Sequence, residues 1–258
     1  MADSAMVFML LPGLFVSVLL FVEFGRRLGA RRLEVETERE RNVRSALENA
    51  IFALLGLMIA FTYAGAASRF ETRRTLTIQE ANAIGTAYLR IDTLPPAAQS
   101  ALRDKFRQYA AARIARYQVL PDLAASEVEA ARSEALQREI WTDSVTALTD
   151  AGPTAPLLLL PALNEMIDIT ATRAVMLETK TPPVVLAVLV VLTLVCSILI
   201  GSGLARKRTR SVFVHTLGFA LVLTVTLYVI FDLDHPRFGL IQLDYVDKAL
   251  MEVAAGMK

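Results

Sequence analysis

An all-α integral membrane protein is the fold class that this chain of 258 residues predicts. It has four transmembrane helices in two hairpins and an extramembrane helical bundle between helices two and three. Three observations carry this. First, 54% of the residues are hydrophobic and the mean hydropathy is +0.46, yet 27 basic and 26 acidic residues remain. A soluble domain is about 45–50% apolar, so grease and charge must be segregated along this chain. Second, four apolar runs approach the roughly 20 residues that cross a hydrocarbon core of about 30 Å. Third, no segment shows strand-like alternation. The same composition excludes disorder, a collagen repeat and a disulfide scaffold. A net charge of +1 argues against a nucleic-acid partner. Cys196 alone can form neither an intrachain disulfide nor a CxxC motif.

The first hairpin covers 1–67, with helices near 6–24 (MVFMLLPGLFVSVLLFVEF) and 46–67. The flank MADSA carries Asp3 and no basic residue, so the first run reads as a retained helix rather than a signal peptide. Pro12–Gly13 is a candidate kink. The second hairpin covers 184–231, with helices near 184–204 and 212–231. Each run should be helical, because lipid cannot satisfy an open backbone. Residues 232–258 read as a C-terminal tail.

Basic residues in short loops set the orientation. The segment 25–45 and the turn ARKRTRS together hold 11 basic and 4 acidic residues. Residues 68–183 hold 13 basic and 14 acidic, and the tail 3 and 5. Both short loops are therefore expected on the cytoplasmic side, with the bundle and both termini outside.

The bundle, 68–183, is rich in Ala, Arg and Glu, which favours helix. Prolines punctuate it at Pro95–Pro96, Pro121, Pro153, Pro156, Pro161 and Pro182–Pro183. One helix is expected over 69–92, continuous with the second span. Another over 97–120 carries the stripe Leu102, Phe106, Tyr109, Ile114 and Tyr117. Asp122 is the expected N-cap of a helix reaching 150, with Leu123, Val128, Ala131, Leu136, Ile140 and Trp141 inward. Thr154 is expected to cap a short turn, and 161–180 to form the last helix.

The second span carries the richest pattern. Ala46, Ala50, Ala53, Ala60, Ala64 and Ala67 form a small-residue stripe, which lets helices approach closely in lipid. Beside it run Asn49, Phe52, Gly56, Ile59 and Tyr63. This second stripe reads either as structural packing or as a pore lining whose apolar rings gate by dewetting. Glu48 near the membrane boundary is expected to pair with Arg44, four residues earlier. Arg69, Arg73 and Arg74 follow the span as an anion vestibule or as anchors to lipid head groups. Glu80, Asn82, Arg90, Asp92, Asn164, Asp168 and Arg173 are candidates for a buried polar network, led by Arg90 or Arg173 with Asp168 or Asp92. Asp232, Asp234 and His235 give only a weak metal pattern, and His215 in the fourth span reads as a proton-linked switch or, more commonly, as a satisfied hydrogen bond or an interfacial position. Two histidines in all, with no P-loop and no GxGxxG, point away from an enzyme, a cofactor or a metal site.

The stretches RFETRRTLTIQEANAIGTAYLRIDTLP (69–95) and LNEMIDITATR (163–173), with the layout of two hairpins, resemble the bestrophin-like family of bacterial membrane proteins. The run from Glu80 to Tyr88 is the most specific part. Bestrophins are pentameric anion channels whose second membrane helix lines the pore. The resemblance therefore implies a homo-oligomer, with a pentamer as the family's assembly, that passes small ions through the lipid bilayer. Bestrophins keep their helical region in the cytoplasm, whereas the charge count here places it outside. The calcium-binding acidic cluster of animal bestrophins has no counterpart in this chain. The competing expectation is a non-conducting, membrane-anchored helical domain that binds a ligand or a protein partner.

Overall fold

The computed structural model describes residues 2–32, 37–120, 122–204, 210–235, 240–241 and 244–257. The described residues form α-helices with short 3₁₀ turns: α1 Ala2–Arg32, α2 Glu38–Arg90, α3 Pro96–Gln118, α4 Leu123–Ala147, α5 Ala155–Glu178, α6 Pro183–Gly203, α7 Arg210–Asp234 and α8 Asp244–Gly256. Arg206, Lys207 and Arg208 of the second basic loop, with Glu34 and Glu36 of the first, lie outside the described residues. Three segments among the described residues are long and apolar enough to cross a membrane: Glu38–Thr93, Ala155–Gly203 and Val212–Asp234.

The chain divides into two compact units, one of residues 2–68 and 180–240, the other of 69–179 and 241–258. In the first unit, α1 packs along α6 and α7. The α1–α6 approach is backbone to backbone. A Cβ on Gly201 would sit 1.9 Å from the Val22 carbonyl oxygen, and one on Gly25 2.1 Å from that of Ile198. Gly29 meets the Ser202 carbonyl in the same way, at 2.4 Å. Gly25 and Gly29 are one turn apart, so they form a small-xxx-small seam. The helix runs past the expected end at 24 because Glu23 pairs with Arg26 and Arg27 one turn on, at 2.7 and 2.9 Å.

The start of α2 is set by a capping box. The Thr37 hydroxyl accepts from the Glu40 amide at 3.4 Å, and the Glu40 carboxylate accepts from the Thr37 amide at 2.9 Å. The bond from the Thr37 backbone, then that from its hydroxyl, holds the Glu40 carboxyl below its ordinary range. At the end of α7, the Asp234 carboxylate accepts from the Thr181 amide at 3.0 Å and from its hydroxyl, which fixes the entry to α6. Asp232 takes the Leu240 amide on both oxygens, at 3.0 and 3.1 Å. Each of these two carboxylates thus accepts a backbone amide.

The core of the second unit is Ile84, Ala87, Ile91, Leu102, Phe106, Tyr109, Ile140, Leu159, Leu163 and Met166, all buried. Each large apolar side chain there contributes roughly 1.5–3 kcal/mol relative to exposure. Pro96 opens α3, where its missing amide is harmless. Asp122 caps α4 as expected, accepting from the Ala125 amide at 3.1 Å.

Three expectations are corrected. Leu123 and Val128 are exposed, at 56% and 67%, and Ala131 is exposed as well. The buried face of α4 is instead Ser133, Leu136, Gln137, Ile140 and Ser144. Polar residues share that face, so an apolar count alone misplaces it. Secondly, α5 begins at Ala155 and continues through Pro161, and Thr154 makes no side-chain cap. Pro161 withholds an amide from the helix. Arg90 donates at 2.5 Å to the carbonyl of Leu158, three residues before that proline. Finally, the stretch read as a tail contains α8, whose Leu250 and Val253, with Met257 just past its end, join the core beside α3.

Candidate functional site

The residues of the second span fall on three faces of α2. Leu55, Thr62 and Ala66 are buried, at 4%, 8% and 0%. The Thr62 hydroxyl returns to the Met58 carbonyl at 2.7 Å, so that face presents no free polar group. The alanine stripe is largely uncovered: Ala46, Ala50, Ala53, Ala60 and Ala64 are exposed and Ala67 is half-buried. Asn49, Gly56 and Tyr63 are also exposed, with Phe52 and Ile59 half-buried. An added Cβ on Gly56 would meet nothing within 4 Å. The span thus offers one face to its own chain and leaves both candidate stripes for lipid or another molecule. Glu48 pairs with Arg44 at 2.9 Å.

The three arginines after the span part company. Arg73 is buried, and its guanidinium donates to the carbonyls of Met176 at 3.3 Å and Thr179 at 2.7 Å. These carbonyls lie at the end of α5, where helix acceptors lack intrahelical donors. Arg73 is thus a clamp on a helix end rather than an open vestibule charge. Arg69 is half-buried, and Arg74 reaches Glu71 at 3.2 Å near the surface.

A buried polar network exists, but with other partners than expected. Glu80, fully buried, accepts from Arg113 Nε at 2.5 Å and from Arg173 Nη1. Arg113 also donates to the Tyr117 hydroxyl at 3.0 Å. The Arg173 guanidinium lies 4.4 Å from the Tyr117 ring centre, where the ring's negative face receives it. Burial pushes the Glu80 carboxyl up, but the charges and hydrogen bonds of Arg113 and Arg173 outweigh this and hold it below its ordinary range. A second cluster lies against it. The Gln137 amide donates to the Tyr109 hydroxyl at 2.9 Å and to the Thr170 hydroxyl at 3.1 Å.

The other candidates stand elsewhere. Asp92 binds Arg103 near the surface rather than Arg90 or Arg173. Asn82, Asn164 and Asp168 are not buried, and the last two lie on an open groove of α5 with Pro161, Glu165, Ile169 and Thr172. Arg113 escapes a reading by apolar residues alone. The signal that finds it is position: Leu102, Phe106, Tyr109, Arg113 and Tyr117 share the 3–4 spacing of one inward stripe. Among the described residues no group of three or more His, Cys, Asp or Glu could hold a metal ion.

Comparisons with known proteins agree with this architecture. A bacterial bestrophin homologue from Klebsiella pneumoniae has a similar fold, with a TM-score of 0.69 at 11% identity over 96% of this chain and 98% of that one. A single-substitution variant of the Klebsiella homologue gives 0.66 at 12% identity over 94% and 99%. A further structure, described only as a membrane protein carrying one substitution, gives 0.69 at 12% identity over 95% of each chain. A comparison with curated proteins gave no match. The model of the bestrophin-like domain matches residues 13–245, nearly the whole chain, and the chain belongs to the bestrophin-like family.

Proposed function

We propose that this chain is the subunit of a homo-oligomeric ion channel in the bacterial inner membrane, with α2 lining the pore. The observation that carries the reading is the state of α2. An apolar helix of membrane-crossing composition covers one face with its own chain and leaves two patterned stripes open. The alanine stripe suits close packing against a second copy. The neighbouring stripe of Asn49, Phe52, Gly56, Ile59 and Tyr63 then faces the axis, with apolar rings behind a polar mouth. Kinship with the bestrophin-like family supports the same assignment, and the family's pentamer is the assembly we assign.

Four spans carry the chain across the bilayer in this reading, at the boundaries set by the apolar runs, with the bundle and termini external. Arg69 and Arg74 supply the positive field that favours small anions, while Arg73 holds the end of α5. Exposed side chains and the open groove at Asn164, Glu165 and Asp168 favour a second reading, in which the bundle binds a ligand or protein partner without conduction.

Ion flux into liposomes containing the purified protein tests the first reading. Phe52→Ala or Ile59→Ala should raise chloride flux severalfold by widening the constriction. A protein that is monomeric in mild detergent and passes no ion under any condition ends the channel reading and leaves the second.

A further inference from the structure

We infer that the unit of residues 2–68 and 180–240 contains a binding site for an uncharged amphiphile: a hydrocarbon chain ending in a hydroxyl or carbonyl group. The site is a half-enclosed cavity of about 410 Å³ between α1, α6 and α7. Small-molecule pockets fall at roughly 300–1,000 Å³. Its walls are hydrocarbon, from side chains such as Leu14, Leu189, Leu227 and Phe231. No described lining residue is charged. The gap on the α1 side is left by Gly13, where an added Cβ would meet nothing within 4 Å.

Two hydroxyls at this wall are unaccounted for, those of Thr224 and Tyr228. Thr224 is fully buried, and its hydroxyl has no hydrogen-bond partner among the described residues. Its neighbours on α7 show the usual alternative. The Thr216 hydroxyl donates to the Val212 carbonyl at 2.9 Å, and that of Thr226 to Val222 at 2.8 Å. Thr224 does not close this local bond, although it lines the cavity. A buried hydroxyl without a partner destabilises the chain that holds it, and a ligand hydroxyl or carbonyl would relieve that. A serine or threonine bond inside a membrane protein is modest but selective.

The charge of the ligand follows from the surroundings. Tyr228 also lines the cavity with its hydroxyl unpartnered among the described residues, one turn before Asp232 on α7. Asp232 is buried and already takes the Leu240 amide on both oxygens. An anionic head group at this wall would be desolvated with no cation among the described lining residues to pair with it. Fatty acids and phospholipid head groups are thereby disfavoured, and an alcohol or ester carbonyl is favoured. Free alcohols and neutral glycerolipids share this chemistry. The inference does not depend on ion conduction, and its test reads binding alone.

The test is photolabelling of the full-length protein in phosphatidylcholine vesicles with a diazirine-bearing dodecanol, and with the matching alkane probe. Adducts should map to 186–190 and 224–231. Unlabelled dodecanol should displace them, and dodecanoate should do so at least about tenfold less well. Gly13→Leu grows a side chain into the open gap and should remove the adducts while keeping the helix, since Leu is the better helix former. Thr224→Val keeps the shape and removes the hydroxyl. It should lower capture of the alcohol by about 3- to 15-fold and leave the alkane unchanged. It should also leave the ligand-free protein as stable or more so. Thr226→Val, whose hydroxyl is already satisfied, should change neither. Displacement by diacylglycerol below the dodecanol concentration assigns the site to a membrane lipid; the reverse order assigns it to a free amphiphile, and both uphold the site. Adducts spread evenly over all apolar helices overturn it. So does equal capture of alcohol and alkane by the wild type. If Gly13→Leu does not fold, the Thr224→Val comparison decides alone.

Discussion

The two units of this chain are held together by different means. In residues 2–68 and 180–240, α1 and α6 meet at Gly25, Gly29 and Gly201 with backbone against backbone. The buried hydroxyls of Thr193 and Ser197 return to carbonyls of their own helix, at 2.8 Å each. In residues 69–179 and 241–258, helices meet through large side chains, and the core encloses Glu80 between Arg113 and Arg173. Among the described residues, ion pairs with both side chains buried occur only in that second unit. In the arrangement proposed above, with the first unit in lipid and the second in water, the difference follows from the solvent. Between helices in lipid there is no hydrophobic gain, so contact area and close approach must hold them. In water, burial of apolar area drives assembly and can carry a desolvated ion network as a passenger.

The largest effect should come from breaking that network. Glu80→Gln leaves two buried guanidinium groups without a carboxylate. Removing one partner of a buried pair costs about 3–5 kcal/mol. Thermal unfolding of the purified protein should show the loss, and Arg113→Met alone should be nearly as harmful. The pH dependence has a definite sign. The folded carboxyl lies below its unfolded value, so its contribution is complete above the ordinary carboxylate range. It is lost as pH falls through the folded value. The Glu80→Gln variant should lack that part of the acid limb. An unchanged acid profile would show that Glu80 is not the group that couples the bundle to protons.

The next effect belongs to the glycine seam. Gly201→Val forces a side chain into the Val22 carbonyl, and the helices must separate. Overpacking of this kind costs about 1–3 kcal/mol. Gly218→Ala on α7 is the control, because its added methyl meets nothing within 4 Å. That substitution should leave stability unchanged or raise it by up to about 1 kcal/mol. Equal losses at Gly201 and Gly218 would erase the contrast between the units.

Removing the clamp at Arg73 should come close behind. Arg73→Met keeps the aliphatic stem and deletes bonds to the carbonyls of Met176 and Thr179. Loss of hydrogen bonds from a charged group costs roughly 1.5–3 kcal/mol, less where water can replace them. Hydrogen exchange should increase selectively near the end of α5.

These particulars show how much the chain discloses before it folds. Long apolar runs and helix-favouring composition announce an all-α protein, and the run from Glu80 to Tyr88 announces its family. Asp122 is legible as a cap because capping is local in sequence. The partners of Glu80 are not, because Arg113 and Arg173 lie 33 and 93 residues away. Helix α8 escapes a sequence reading for a related reason. The apolar Val246, Leu250, Val253 and Met257 follow helical spacing, but they gain meaning only once Leu250 and Met257 meet the core. The alanine stripe of α2 is readable as a pattern, but its target is not, since small residues suit packing within a chain and between chains alike.

The smallest effect tests where the second span begins. Arg44 and Glu48 pair at 2.9 Å with side chains 38% and 18% exposed. At a water-facing membrane boundary, a pair four residues apart in a helix stabilises by about 0.2–0.5 kcal/mol and weakens with salt. Glu48→Gln should therefore change thermal stability barely above error, and raising the salt concentration should reduce even that. An acid inside hydrocarbon behaves differently, at about 2.5–3.5 kcal/mol near the centre of a span. There, Glu48→Gln would stabilise the protein markedly, or destabilise it if Arg44 were stranded beside it. A large change of either sign would move the start of the span towards the amino terminus, and with it the position of Asn49 in the proposed pore stripe.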